Sequence, residues 1–365
     1  MTILMTADTI GGVWTYCMDL CMALQEYYVV VHLVTMGEPM KVWQQEEVKA
    51  LPHVVVYETA YKLEWMQEPW QDVEACGRML LQLEAAVQPD VVHLNSFAFG
   101  SLPFRAPVVV VAHSDVWSWF LEVKGTAPGD EWRDYFSLVQ SGLRGADAVV
   151  APTEAKLNQI KAVYGITDGV CIYNSREKNR FWEGEKQNVV FSMGRIWDEA
   201  KNTKLLLDAS PAMEVPVRIA GEERFAQNNV SVNGSNVHFL GKLSTTQIAN
   251  ELAVAAIYVL PAKYEPFGLS ALEAALSGCA LVLGDIPTLR EIWGEAAIFI
   301  DTNDAPALAA VINDLSAQPA LCKEWGEKAK ARAEAFSIEA MVHKYWQLYH
   351  TIIKEKIALR KEEIV

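Results

Sequence analysis

The stretch EPFGLSALE carries two acids, Glu265 and Glu273, on either side of a Phe-Gly-Leu turn. An ionised carboxylate only accepts hydrogen bonds, and it chelates vicinal hydroxyls well, as on a sugar or a ribose. Glu273 falls in an apolar helical pattern, where a buried acid is costly without a partner. Glu265 precedes the predicted helix start and Glu273 lies within the helix, so the two can serve separate hydroxyl pairs of one ligand. Phe267, Gly268 and Leu269 open that helix, whose first N–H groups form a cradle for an anion or a hydroxyl.

Upstream, FSMGRIWDEAKN places Arg195 directly after a predicted strand and Lys201 at the start of the next helix. Two fixed cations can offset the charge that develops on a departing diphosphate. The plain alternative is a solvated Arg and Lys paired with Asp198 or Glu199. VVVAHSD sets His113 and Asp115 just past an apolar run. A histidine there can donate to a reacting oxygen or carry a proton; the alternative is a satisfied histidine of the cleft. TADTIGGVWTY puts Gly11 and Gly12 between a strand and a helix start, letting backbone approach a ligand, although a tight turn explains the glycines equally well. SDVWSWFLEVKGTAPGDEW then gathers Trp117, Trp119, Phe120 and Trp132 in a stretch of loop character. Flat rings there can stack on a sugar acceptor, with core packing expected for at least half of them. Asp115, Trp117 and Trp119 are the acceptor-side candidates.

The elements that must hold these residues follow from hydrophobic pattern. TILMTA, YVVVHLVTM, HVVVYET, DVVHLNS, PVVVVAHS and ADAVVAPT are short apolar runs with helical patterns between them, including helices near 70–87 and 130–145. The grammar restarts with NVVFSMGRI, VPVRIAGE, VHFLGKL, AAIYVLPA, CALVLGD and AAIFIDT. Continuous apolar strands alternating with helices predict parallel sheets covered on both faces. Two such series give two doubly wound, Rossmann-like α/β domains, 1–170 and 188–336, with the polar stretch 171–187 as linker. Residues 337–365 read as one long amphipathic helix returning to the first domain. Ligands of such sheets bind beyond the C-terminal strand ends, in the crevice between domains.

On these residues the chain resembles the retaining glycosyltransferases of family 4, which have the GT-B fold. EPFGLSALE matches the family's E-x7-E signature, GRIWDEAKN resembles its Arg/Lys pyrophosphate motif, and TADTIGGVWTY resembles its N-terminal glycine loop. The likeness covers nearly the whole chain, with the motifs in order. It implies that Glu273 binds the ribose and that Glu265 and Phe267 line the donor-sugar and ribose site. Arg195, Lys201 and backbone N–H groups near Gly12, Gly268 and Leu269 would hold the diphosphate, and His113 would touch the donor sugar near the reaction centre, His113 and Glu265 being the catalytic pair. The base is expected near FLGKLS, after His238. It further implies transfer from a nucleotide-diphosphate sugar to a hydroxyl acceptor without cofactor or metal. The sequence departs from the family pattern at YNSRE, where Pro-Asn-Gly is common, at PAKYE, where Pro-Ser is common, and at Asn202, where Gly usually follows the lysine.

Composition narrows the remaining classes. The 365 residues exceed one comfortable core. The net charge of −15 is concentrated in residues 1–170, with 10 Lys and Arg against 21 Asp and Glu. That half repels phosphodiester backbones, which argues against nucleic acid and disfavours a wide anionic-membrane footprint, a small local basic patch aside. It favours a neutral or cationic acceptor. The six cysteines are scattered and read as reduced thiols, not disulfides or zinc ligands. The N-terminus lacks the features of a signal peptide, and no apolar run is long enough to span a membrane, so a cytoplasmic location is expected. The competing functions are a non-catalytic nucleotide-sugar-binding subunit and a nucleotide-sugar epimerase of GT-B-like fold. A nicotinamide dehydrogenase is disfavoured, since TADTIGGVW lacks the G-x-G-x-x-G spacing.

Overall fold

The runs VVHL and VVVV are buried along their full length, as strands are when helices cover both faces of a parallel sheet. In the computed structural model, which describes residues 1–221 and 236–362, such strands build two units. The first unit draws on Met1–Leu121, Thr126–Asn174 and the chain from Ile338 onward; the second on Glu122–Gly125 and Ser175–Ser337.

In the first unit the strands are β1 (Thr2–Asp8), β2 (Val30–Met36), β3 (Val54–Glu58), β4 (Val91–Leu94), β5 (Val108–Val111), β6 (Ala148–Ala151) and β7 (Val170–Cys171). They pair in parallel in the order β3-β2-β1-β4-β5-β6-β7. Helices α1 (Gly12–Leu24), α2 (Val42–Lys49), α3 (Trp70–Val87), α4 (Val116–Lys124), α5 (Arg133–Gly145) and α6 (Glu154–Tyr164) connect them. In the second unit, β8 (Gln187–Met193), β9 (Val217–Ala220), β10 (Val237–Gly241), β11 (Ala255–Leu260), β12 (Ala280–Gly284) and β13 (Ile298–Ile300) form a second parallel sheet in the order β10-β9-β8-β11-β12-β13. Helices α7 (Thr203–Ala209), α8 (Thr245–Val254), α9 (Leu269–Leu276), α10 (Pro287–Trp293), α11 (Ala305–Ala317) and α12 (Pro319–Ala333) accompany it. The helix expected between β9 and β10 falls in 222–235, outside the described residues. Strand order reverses between β1 and β4 in one sheet and between β8 and β11 in the other, and a reversal leaves a crevice at the strand C-termini where ligands bind.

The last helix, α13 (Ile338–Glu362), belongs to the first unit. Ile338, Met341, Val342, Tyr345, Tyr349 and Ile352 recur at helical spacing, are buried, and join the same core as Tyr16, Cys17, Leu20 and Leu24 of α1. Cys17 and Cys21 are therefore core thiols, free and buried. No helix among the described residues is long and apolar enough to cross a membrane.

One expectation needs correction. The stretch after His113 is not a loop: it forms α4 and a 3-10 turn over Asp130–Trp132. Asp115 starts α4 by accepting the Ser118 N–H at 2.8 Å, and this capping outweighs the scattered polar residues that suggested a loop. The boundary between the units, between Asn174 and Ser175, falls within the expected linker 171–187. The linker begins inside β7 and ends at the first residue of β8, and Asn174, Ser175 and Arg176 within it are buried.

Candidate active site

Arg195 leaves the end of β8 and Glu265 follows β11, so both stand at the point where the second sheet reverses its strand order. Local hydrogen bonds fix their approach. Lys263 donates its N–H to the Ala200 carbonyl at 2.8 Å, joining the loop after β11 to the 3-10 turn Glu199–Lys201. Asn202 follows in the left-handed region (φ 53°) and donates through Nδ2 to the carbonyls of Pro261 (3.0 Å) and Thr302 (2.7 Å). Asparagine adopts that conformation more readily than most residues. This accounts for Asn where glycine is usual, and the side chain adds two ties between strand ends.

The result is an ion pair between Lys201 Nζ and Glu265 Oε2. Glu265 Oε1 also accepts the Gly268 N–H at 3.0 Å, and Thr288 Oγ1 donates to the Glu265 carbonyl at 2.6 Å. Gly268, at φ 89°, caps α9 in a conformation that favours glycine. Its N–H, which the resemblance assigned to a diphosphate, is thus held by Glu265. Leu269 begins α9, and no side chain caps that helix. Arg195 pairs with Asp198 at 2.8 Å, as the plain reading allowed, yet its side chain stays 42% exposed and its guanidinium lies 5.4 Å from the Trp197 ring centre.

Glu273 sits on α9 and pairs with Arg176, Nε to Oε1 at 2.6 Å. The partner that a buried acid requires is therefore supplied from YNSRE, a departure to which the sequence analysis gave no role. Phe267 needs correction: its ring is buried edge-on to Phe336, with centroids 5.7 Å apart, so its side chain serves the core and not a sugar. The turn after β10, where the base was expected, leads to Ser244, which caps α8.

In the first unit, Gly11 (φ 94°) turns the chain from β1 into α1, so that Gly12 opens a helix without a side-chain cap. Asp8 Oδ1 accepts the Ile10 N–H at 2.6 Å, and Gln44 Nε2 reaches the Thr9 carbonyl at 3.1 Å, which hold this turn at the other reversal point. Just after β4, Asn95 donates through Nδ2 to the Thr6 carbonyl at 2.7 Å. That fixes its amide so that Oδ1 faces His113 Nε2 at 2.8 Å. Burial, with His93 nearby, pushes the His113 imidazole down to about 3, so the ring is neutral. A neutral ring with Nε2–H donating to Asn95 leaves Nδ1 as an acceptor. In this tautomer Nδ1 can only accept a hydrogen bond, while Nε2–H is engaged by Asn95.

Behind His113 a buried aromatic series reaches the last helix. Tyr16 packs edge-on to His113 (centroids 4.6 Å apart), its hydroxyl lies 3.3 Å from His93 Nε2, and His93 Nδ1 lies 2.7 Å from the Tyr349 hydroxyl. Sequence reading singled out none of these three.

Asp115 is withdrawn from the acceptor side. Its carboxylate is fully buried, 2.6 Å from Lys156 Nζ, and accepts from Tyr164 at 2.8 Å. Burial pushes this carboxyl up, but Lys156 and the Ser118 bonds more than offset it and leave it below the usual range. Trp117 is withdrawn as well, since it packs on Phe136 (4.5 Å) at the edge of the core. Trp119, partly exposed and edge-on to Phe120, remains. Among the described residues no group of three or more His, Cys, Asp or Glu could hold a metal ion.

Two parallel, doubly wound units, the second with Arg195, Lys201 and Glu265 at its reversal point, make the GT-B fold. HepE from Anabaena, solved in complex with UDP and glucose, shares this fold: TM-score 0.74 and 17% identity, covering 96% of this chain and 100% of that one. Residues 10–176 match the family model described as glycosyltransferase family 4, and residues 174–332 that described as glycosyl transferases group 1. The chain belongs to family 4 of the glycosyltransferases. The alpha-maltose-1-phosphate synthase of Mycolicibacterium smegmatis is 29% identical over 75% of this chain and 81% of that one. The glycogen synthase of Mycobacterium tuberculosis is 38% identical over 26% of this chain, a match that spans only 23% of its own length.

Proposed function

We propose that the protein transfers a sugar, with retention and without a metal, from a nucleotide-diphosphate sugar to a hydroxyl acceptor. The observation that carries this reading is the Lys201–Glu265 pair, tied to Gly268 at the reversal point of the second sheet. Donor binding exchanges partners there: the diphosphate takes Lys201 and Arg195 from Glu265 and Asp198, and the freed Glu265 and Gly268 N–H receive sugar hydroxyls and phosphate oxygen. Glu273 accepts from the ribose. UDP in the Anabaena neighbour supports a nucleoside diphosphate as the leaving group.

The acceptor oxygen attacks the anomeric carbon on the face the phosphate leaves. The bond from that carbon to the phosphate oxygen breaks with its electron pair on the phosphate, and that oxygen takes the acceptor's proton. Two cations stabilise the charge as it develops, so no Mg²⁺ is required. Both glutamates are committed to hydroxyls, which disfavours a double displacement through a carboxylate nucleophile. On the first unit, His113 Nδ1 accepts from a sugar hydroxyl. The acidic first half favours a neutral or cationic acceptor, and the names glycogen synthase and alpha-maltose-1-phosphate synthase support a carbohydrate. The test incubates the enzyme in EDTA with UDP-, GDP- and ADP-sugars and oligosaccharide acceptors, and reads the product anomer by NMR. A product with the donor's configuration is expected. Inversion, or turnover only after Mg²⁺ is restored, refutes the mechanism; a changed sugar with no transfer favours an epimerase.

A further inference from the structure

Arg176 stands where the sequence departs from the family pattern. Its side chain is 3% exposed, less than the 11% of Glu273, whose Oε1 it meets through Nε at 2.6 Å. The arginine is therefore the more buried of the two. Its guanidinium lies 5.3 Å from the centre of the Phe181 ring, a second restraint on its position. Glu273 is on the second turn of α9, and Arg176 is on the chain entering the second unit, so the pair joins segments far apart in sequence. A carboxylate on a helix can turn about its last bonds; one whose Oε1 is fixed by a buried Nε–H is held in one orientation.

We propose that Arg176 is a positioning residue for nucleoside recognition: it holds the Glu273 carboxylate in the orientation that receives the ribose, without touching the nucleotide itself. This rests on the donor site proposed above, with Glu273 as the ribose acceptor. Arg176 then affects binding of the nucleoside part and not of the diphosphate part, and it acts only through Glu273. Lysine keeps the charge but has no equivalent of Nε–H in a rigid plane, so it replaces arginine only in part.

The test is calorimetry on the full chain with UDP, GDP, ADP and inorganic pyrophosphate, using wild type, R176Q, R176K, E273Q and R176Q/E273Q, each checked by a melting curve. R176Q should weaken the nucleoside diphosphate that wild type binds by about tenfold, as loss of a charged hydrogen bond does. R176K should recover part of that loss. Pyrophosphate affinity should stay within about twofold, and the double variant should bind no more weakly than E273Q, because two residues acting in series do not add. Unchanged nucleotide binding in R176Q, equal loss of pyrophosphate, or additive losses would overturn the proposal. Where R176Q does not fold, R176K is combined with E273Q and read by the same criteria. Wild type that binds none of the three nucleotides would sink the donor site as well; wild-type binding that is lost in E273Q but indifferent to Arg176 would sink this proposal alone.

Discussion

Lys201 and Glu265 pair with each other at the reversal point of the second sheet, and the proposed function has the donor exchange these partners. Removing either cation proposed to bind the diphosphate should show in turnover: Lys201→Ala or Arg195→Ala is expected to lower kcat by about 10²–10³, the scale of one lost oxyanion donor. Steady-state rates equal to wild type in both variants would remove them from the chemistry. His93 and His113 carry a different signature. Burial holds both at about 3, well below the ordinary 6.5. As pH falls from 6.5 toward 3, the unfolded chain binds protons that the folded chain does not, so stability drops in that window. His93→Gln should show a shallower fall of Tm between pH 7 and pH 4.5; a parallel line would mean that His93 does not couple to folding. At this scale the sequence exposed charged residues at strand ends, because their types are rare in apolar surroundings. It did not expose Arg176 or Lys156, since pairing partners depend on three-dimensional neighbours that spacing does not encode.

The segment from His113 to Lys124 shows what an element adds. Asp115 caps α4, and its buried bond to Lys156 ties the start of α4 to α6, two positions from His113. Breaking a buried pair from one side leaves a charge without its partner. Asp115→Ala should therefore cost about 3–5 kcal/mol in urea unfolding. A loss below about 1 kcal/mol would mean that Lys156 finds water or another acceptor. Strands and most helices were legible because apolar runs and 3.6-residue periodicity are local properties. α4 was not, since its tryptophans and polar residues resemble a loop until Asp115 is seen to cap it. The aromatic residues there were partly misassigned for the same reason, Trp117 belonging to the core edge.

For the whole molecule, the chain leaves the first unit near Asn174 and returns to it at Ile338. Each fully buried apolar side chain contributes about 1.5–3 kcal/mol. The six core residues of α13 therefore rival the roughly 5–15 kcal/mol by which a protein is stable. A chain ending at residue 337 should lose the cooperative melting of the first unit, read by calorimetry; retention of that transition would show that α13 is dispensable. The two-unit organisation was legible because the strand-helix grammar restarts, and the long final helix was legible as amphipathic. Its burial partners, Tyr16 and His93, were not, because they lie more than 250 residues away in sequence. The most direct measurement is calorimetric binding of UDP, GDP and ADP in EDTA to wild type and to Glu273→Ala. One nucleotide should bind wild type without metal and bind the variant about tenfold or more weakly. No binding of any nucleotide, or equal binding by the variant, would contradict a donor site built on the second unit.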